Sequence, residues 1–161
     1  SCAAPPAQHE SRPVQAAQIK PQAALAPLAK FIGDWTMTRR HLGAERAVTT
    51  NVHTEWMKGG HFLVQSAEWN DGEQHVTSVE YVGFDKEKGT FTSHSFDSLG
   101  NAFHYVWELD GDAVTIWLGE VGSDARFHGR FDDANTLSGG WRWPGGGFDS
   151  TVSRAQEGPQ Q

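Results

Sequence analysis

The stretch Tyr81–Leu118, YVGFDKEKGTFTSHSFDSLGNAFHYVWELDGDAVTIWL, constrains the fold more than any other part of the chain. Runs rich in Val, Phe, Thr, Tyr and Trp are broken at Asp85-Lys86-Glu87-Lys88-Gly89, Leu99-Gly100-Asn101 and Asp110-Gly111. Those are turn-forming sequences, so the stretch reads as four short strands joined by three tight turns. Connections this short leave no room for helical crossovers. Neighbouring strands must pair as antiparallel hairpins, and the sheet must curl or close to dispose of its edges.

The same pattern runs on from Gly33. Strands are predicted at 34–41, 47–57, 61–69, 74–84, 90–97, 101–109, 112–119, 124–131, 135–143 and 148–154, with turns at Lys58-Gly59-Gly60, Asn70-Asp71-Gly72, Val121-Gly122-Ser123, Asp132-Asp133-Ala134 and Pro144-Gly145-Gly146-Gly147. About ten strands spaced roughly 8–12 residues apart, with loops too short to cross between sheets, predict an all-β fold. The expected form is an antiparallel up-and-down barrel. Ahead of it, Gln22–Ile32 places Leu25, Leu28 and Ile32 at helical spacing with Gly33 as a stop, while Pro27 limits the segment to one short helix or two broken turns. Residues 1–21 hold four of the seven prolines and no apolar period, which predicts a disordered tether. The folded domain is expected over 22–154, with a disordered tail at 155–161.

Composition narrows the function classes. The formal charge is −7, from 13 Lys and Arg against 20 Asp and Glu, with no basic cluster, so nucleic acid gains no counterion-release term and is not an expected partner. No apolar run approaches the length of a membrane helix. Cys2 is the only cysteine, so no internal disulfide supports the fold, which must stand on packing.

Several short motifs resemble known families. The opening Leu28-Ala29-Lys30-Phe31-Ile32-Gly33-Asp34-Trp35 is similar to the start of the calycin-type barrels, the lipocalins and fatty-acid-binding proteins. Gly33-Asp34-Trp35, Lys58-Gly59-Gly60-His61-Phe62-Leu63, Tyr81-Val82-Gly83-Phe84-Asp85, Phe96-Asp97-Ser98-Leu99-Gly100 and Thr151-Val152-Ser153-Arg154 together resemble a bacterial lipocalin-like family of uncharacterised function. The resemblance covers Leu28 to Arg154 and implies a calycin-like barrel, a fold that hosts many functions. Trp35 on the first strand can plug the barrel's closed end while Arg154 on the last strand reaches across its indole. Cys2-Ala3-Ala4-Pro5-Pro6 resembles the start of a mature bacterial lipoprotein, here preceded by Ser1. It implies lipidation of Cys2, a location in the bacterial envelope or periplasm, and membrane contact only through that lipid. The alternative is an incidental cysteine in the tether.

Candidate chemistry follows from residue types and facing. His41, His53, His61, His75, His94, His104 and His128 lie far apart with no ligand-type spacing, so no metal site is expected. Some barrels of this general type bind haem through a histidine near the C-terminus, but the last strand has none; no cofactor is expected. On strand 101–109 Phe103, Tyr105 and Trp107 alternate with His104 and Val106, and on strand 90–97 His94 shares a face with Thr92 and Phe96. A lumen walled by aromatics with a few polar groups is a small-molecule site, and its expected lining includes Trp56, His94, Tyr105, Trp107 and Trp117. Arg39, on the face of Trp35 and Met37, is the charge expected to clamp a carboxylate, with solvent or Glu55 and Glu68 as its alternative partners. The expected function is binding or carriage of a small apolar molecule, anionic where Arg39 holds it. One alternative is an isomerase- or cyclase-type enzyme pairing a pocket histidine, such as His94, with Glu68 or Asp97. The other is a filled barrel serving as a structural or interaction module. No nucleophile elbow or phosphate-binding loop supports catalysis, so no catalytic residue is assigned.

Overall fold

The computed structural model describes residues 19–156; the predicted tether up to residue 18, with Cys2, and residues 157–161 lie outside the described residues. A 3₁₀ helix, Ala23–Phe31, leads into ten strands: β1 (Gly33–His41), β2 (Val48–Trp56), β3 (Leu63–Asp71), β4 (Gln74–Asp85), β5 (Thr90–Asp97), β6 (Ala102–Asp110), β7 (Ala113–Leu118), β8 (Arg126–Asp133), β9 (Thr136–Trp143) and β10 (Gly146–Arg154). Each strand pairs antiparallel with the next, and β10 pairs back onto β1 from Trp35↔Arg154 to His41↔Phe148, which closes the barrel. Closure leaves no strand edge unpaired.

The turns form where the sequence places them. Asp85 accepts the amides of Glu87 and Lys88, and Asp97 accepts those of Leu99 and Asn101, both as Asx-type turns. One boundary moves. Gly146 and Gly147 belong to β10 rather than to the turn before it. At Gly147 the strands approach so closely that a Cβ would come 2.5 Å from the Trp141 carbonyl oxygen.

The helix differs in its period. An α-helical face of Leu25, Leu28 and Ile32 is corrected to a 3₁₀ face of Leu25, Leu28 and Phe31, all buried, with Ile32 already extended at the C-cap. Three residues per turn align positions 25, 28 and 31, and Pro27 removes an amide that a longer α-helix would need. This face plugs one end of the barrel. Phe31 packs edge-on against Trp107 and Phe131, at 5.6 and 5.2 Å between centroids.

Arg154 latches the plug in place. Its guanidinium lies 4.2 Å from the Trp35 ring centroid and donates to the carbonyls of Ile32 at 2.7 Å, Ala134 at 3.2 Å and Lys30 at 3.3 Å. Trp35 in turn donates its indole N–H to the Phe31 carbonyl at 2.8 Å. Gly33 makes room for the latch: its φ is +122°, and a Cβ there would sit 2.6 Å from Arg154 Nη1.

Replacing Arg154 with Met keeps much of the side chain's length but leaves the carbonyls unpaired. Loss of about 2–3 kcal/mol of unfolding free energy is expected from the charged hydrogen bonds and the cation–π contact together. Urea unfolding of Arg154→Met measures it; an unchanged midpoint would show that the latch contributes nothing to stability.

Candidate functional site

Above the plug the barrel is hollow. A cavity of about 580 Å³ runs from Phe31, Trp35 and Phe131 at the plugged end to Phe103 and Trp143 at the other, and both of the latter are exposed, so the cavity reaches solvent there. Its size is in the range of small-molecule sites. The filled-barrel alternative does not fit this interior. The lining follows from period-two alternation: on β1 Trp35, Met37 and Arg39 face in, and on β6 Phe103, Tyr105 and Trp107 do.

Arg39 is the one arginine on that lining. Its guanidinium stacks on Trp69 from β3 at 5.0 Å and on Phe148 from β10 at 5.8 Å. Among the described residues no carboxylate lies within ion-pair distance of it. Its Nε is buried without a hydrogen-bond partner. Burial pushes the guanidinium's pKa down, with Asp71 pulling the other way. Glu55 and Glu68, its alternative partners from the sequence, point outward and approach His53 and His75 instead.

A second ionisable group faces the cavity from β4. Glu80 accepts a hydrogen bond from Ser93 Oγ at 2.6 Å, and Ser93 Oγ accepts one from Trp107 Nε1 at 2.9 Å. Desolvation raises the Glu80 pKa above the ordinary carboxyl value and outweighs the Ser93 bond, which lowers it. Tyr105 is also pushed up, by burial first and then by the charges of Glu80 and Asp97.

Of the residues expected from the sequence, Arg39, Tyr105 and Trp107 line the cavity. Trp56 faces inward but lies outside the cavity lining, half-buried against the core beside Leu63. His94 and Trp117 require correction, because both sit on the outer face. His94 stacks on His104 at 4.7 Å, and Trp117 donates to Glu108 and lies under Arg126. Large apolar residues on both faces hid the facing of these strands: Phe91 and Phe96 on β5, and Ile116 and Trp117 on β7. The imagined pairing of His94 with Glu68 or Asp97 therefore has no place in the lumen: none of the described histidines lines the cavity, and Asp97 is occupied in its turn. Trp69, Phe148 and Glu80 escaped the sequence reading. The Trp35-Met37-Arg39 parity, carried across the barrel register, is the signal that locates the first two.

Glu80 and Arg39 both place a polar group where an apolar one would fold more favourably. For Glu80, a folded pKa above the unfolded one means that its contribution to stability is full below the ordinary carboxyl value and is lost as pH rises through the folded value. Glu80→Gln, which stays neutral, is expected to be more stable than the native protein at pH 7 and to lose that advantage below about pH 4.5. Thermal unfolding across that pH range checks this, and an advantage that persists in acid would contradict it. Arg39→Met is expected to leave stability at pH 7 unchanged or slightly raised, because the desolvation cost of a half-buried cation without an ion pair is removed along with its two aromatic contacts; a clearly lower urea midpoint would show that Arg39 is a structural group.

A family model described as "Protein of unknown function (DUF1579)" matches residues 20–137, from the helix into β9. No curated protein matches the chain. The match takes in most of the chain, including the helix, Trp35, Arg39 and Glu80, and on that extent the protein belongs to the DUF1579 family, whose function is unknown.

Proposed function

We propose that the protein binds and carries a small amphiphilic acid in its barrel, with the apolar body along the aromatic wall and the acid group on Arg39. The observation that carries this reading is Arg39 itself: a cation set between two aromatic rings inside a cavity, with no carboxylate at ion-pair distance among the described residues. The guanidinium is half-buried with its Nε enclosed and unpartnered, so a charge held there without an ion pair carries a desolvation cost that a bound acid group would offset. A ligand carboxylate can take two parallel hydrogen bonds from the guanidinium fork while the rings hold its plane. Tyr105, Trp141, Phe127 and Ile116 supply apolar surface for the remainder. The likeness of the Gly33-Asp34-Trp35 opening to lipocalins and fatty-acid-binding proteins supports the same reading, through a shared fold rather than shared residues.

Location belongs to this proposal too. The Cys2-Ala3-Ala4 segment supports a lipid-tethered protein of the bacterial envelope. Intact-mass measurement of the protein from its own host is expected to show acyl groups on Cys2, and an unmodified thiol would remove the anchor from the proposal.

Isothermal titration with dodecanoate and dodecanol tests the lumen reading. The native protein is expected to bind dodecanoate, and Arg39→Met to weaken that binding by about 1.5–3 kcal/mol, a tenfold to hundredfold loss, while dodecanol binding changes little. Equal loss for both ligands, or none for dodecanoate, would contradict a carboxylate on Arg39.

A further inference from the structure

The cavity wall is not uniform, and a plain apolar acid uses only part of it. Strands β6 to β9 line it with aromatic and aliphatic side chains only. Strands β2 to β4 set Thr50, Thr54, Gln65, Ser78 and Glu80 among Val52, Ala67 and Trp69. The register sets Thr54 beside Gln65 and Gln65 beside Glu80, so three polar side chains form a row across adjacent strands, with neighbours about 5 Å apart.

Much of this row's hydrogen-bonding capacity is unspent. The hydroxyl of Thr54 is on a residue only 1% exposed and has no hydrogen-bond partner. Glu80 has one oxygen engaged by Ser93, which Trp107 holds in place from behind. Among the described residues no cation lies within ion-pair distance of Glu80. Buried polar groups ordinarily find partners, and an isosteric apolar row would pack this wall at less cost. The relay from Trp107 through Ser93 fixes the carboxyl's orientation, as a binding group requires.

We propose that the Thr54–Gln65–Glu80 row is a second polar subsite, and that the ligand is an oxygenated amphiphilic acid whose apolar body carries a hydroxyl or carbonyl oxygen that meets the row. This rests on the proposed carrier function, with the acid group on Arg39. A hydroxyl suits the row because it can donate to a Glu80, Gln65 or Thr54 oxygen and accept from the Gln65 amide or the Thr54 hydroxyl. The register also limits where the oxygen sits. Thr54 lies opposite Gly33, six positions before Arg39 on β1, and six residues of strand extend about 20 Å. An oxygen in the far half of a long chain therefore fits, and one beside the acid group does not.

The test is a titration panel on the whole protein: octadecanoate, its positional isomers hydroxylated at carbons twelve, fifteen and seventeen, and the twelve-oxo acid. At least one oxygenated acid is expected to bind tenfold or more tightly than octadecanoate. That ratio is expected to fall to within about twofold in Glu80→Leu and to survive largely in Glu80→Gln, with thermal melts confirming that both variants fold. The preference for an acid over its alcohol, set by Arg39, should persist in both. If octadecanoate binds and no oxygenated acid binds more tightly, the subsite is overturned and the carrier reading stands. A ratio unchanged in Glu80→Leu overturns it as well. If none of the acids binds, both proposals fall.

Discussion

The Arg154 guanidinium holds together the parts on which the rest of the structure depends. Through one side chain it ties the last strand to the indole of the first, to the end of the 3₁₀ helix at Lys30 and Ile32, and to the β8–β9 turn at Ala134. An up-and-down barrel has one seam that no hairpin makes, here between β1 and β10, and the latch sits at its end. With the latch in place, the helix face of Leu25, Leu28 and Phe31 is held over the barrel end, and Trp35, Phe131 and Trp107 form a packed floor. Without it, the floor would consist of a nine-residue helix with little intrinsic stability. The cavity exists because the sealing residues are concentrated at this end, leaving the middle of the barrel unfilled.

What lines that middle runs against stability. A half-buried arginine without an ion-paired carboxylate, a carboxyl without a cation and two unpartnered threonine hydroxyls face one interior. Each is the kind of group that folding alone removes, since substitution by an apolar side chain is neutral or favourable. They sit on β1 to β4 among Val52, Ala67 and Trp69, while β6 to β9 face the lumen with aromatic and aliphatic side chains only. Such an interior suits a molecule with an apolar body and more than one polar group, and it suits a solid core poorly.

Much of the architecture was legible in the sequence because turn chemistry is local. Asp85, Asp97 and the Gly-containing turns announce themselves, and short loops between runs of Val, Phe, Thr and Trp leave only hairpin pairing, so the ten strands and their order follow. The Trp35–Arg154 contact was legible too, since it joins the first strand to the last in any closed barrel. The helix period was not, because positions 25, 28, 31 and 32 are all apolar and only packing selects Phe31 over Ile32. Site residues were legible where one face of a strand is plainly different from the other, as with Arg39 beside Trp35 and Met37. Facing failed for His94 and Trp117. Both faces of β5 and of β7 carry large apolar residues, Phe91 against Phe96 and Ile116 against Trp117, so alternation has little contrast, and a slip of one position exchanges lumen and surface. Glu80 was missed for the related reason that β4 mixes Val with polar residues on both sides; only the Ser93 and Trp107 bonds mark it as an inward group.

The claim that Arg39 receives an acid group inside the barrel is open to direct observation by carbon-13 NMR of carboxyl-labelled dodecanoate mixed with the protein across a pH series. A carboxylate paired with a guanidinium in this enclosure should give a separate bound signal whose titration is shifted well below that of a free fatty acid, because the cation favours the ionised form. A bound signal that titrates as the free acid does, or at higher pH, would place the carboxyl away from Arg39 and contradict the anchoring of the ligand.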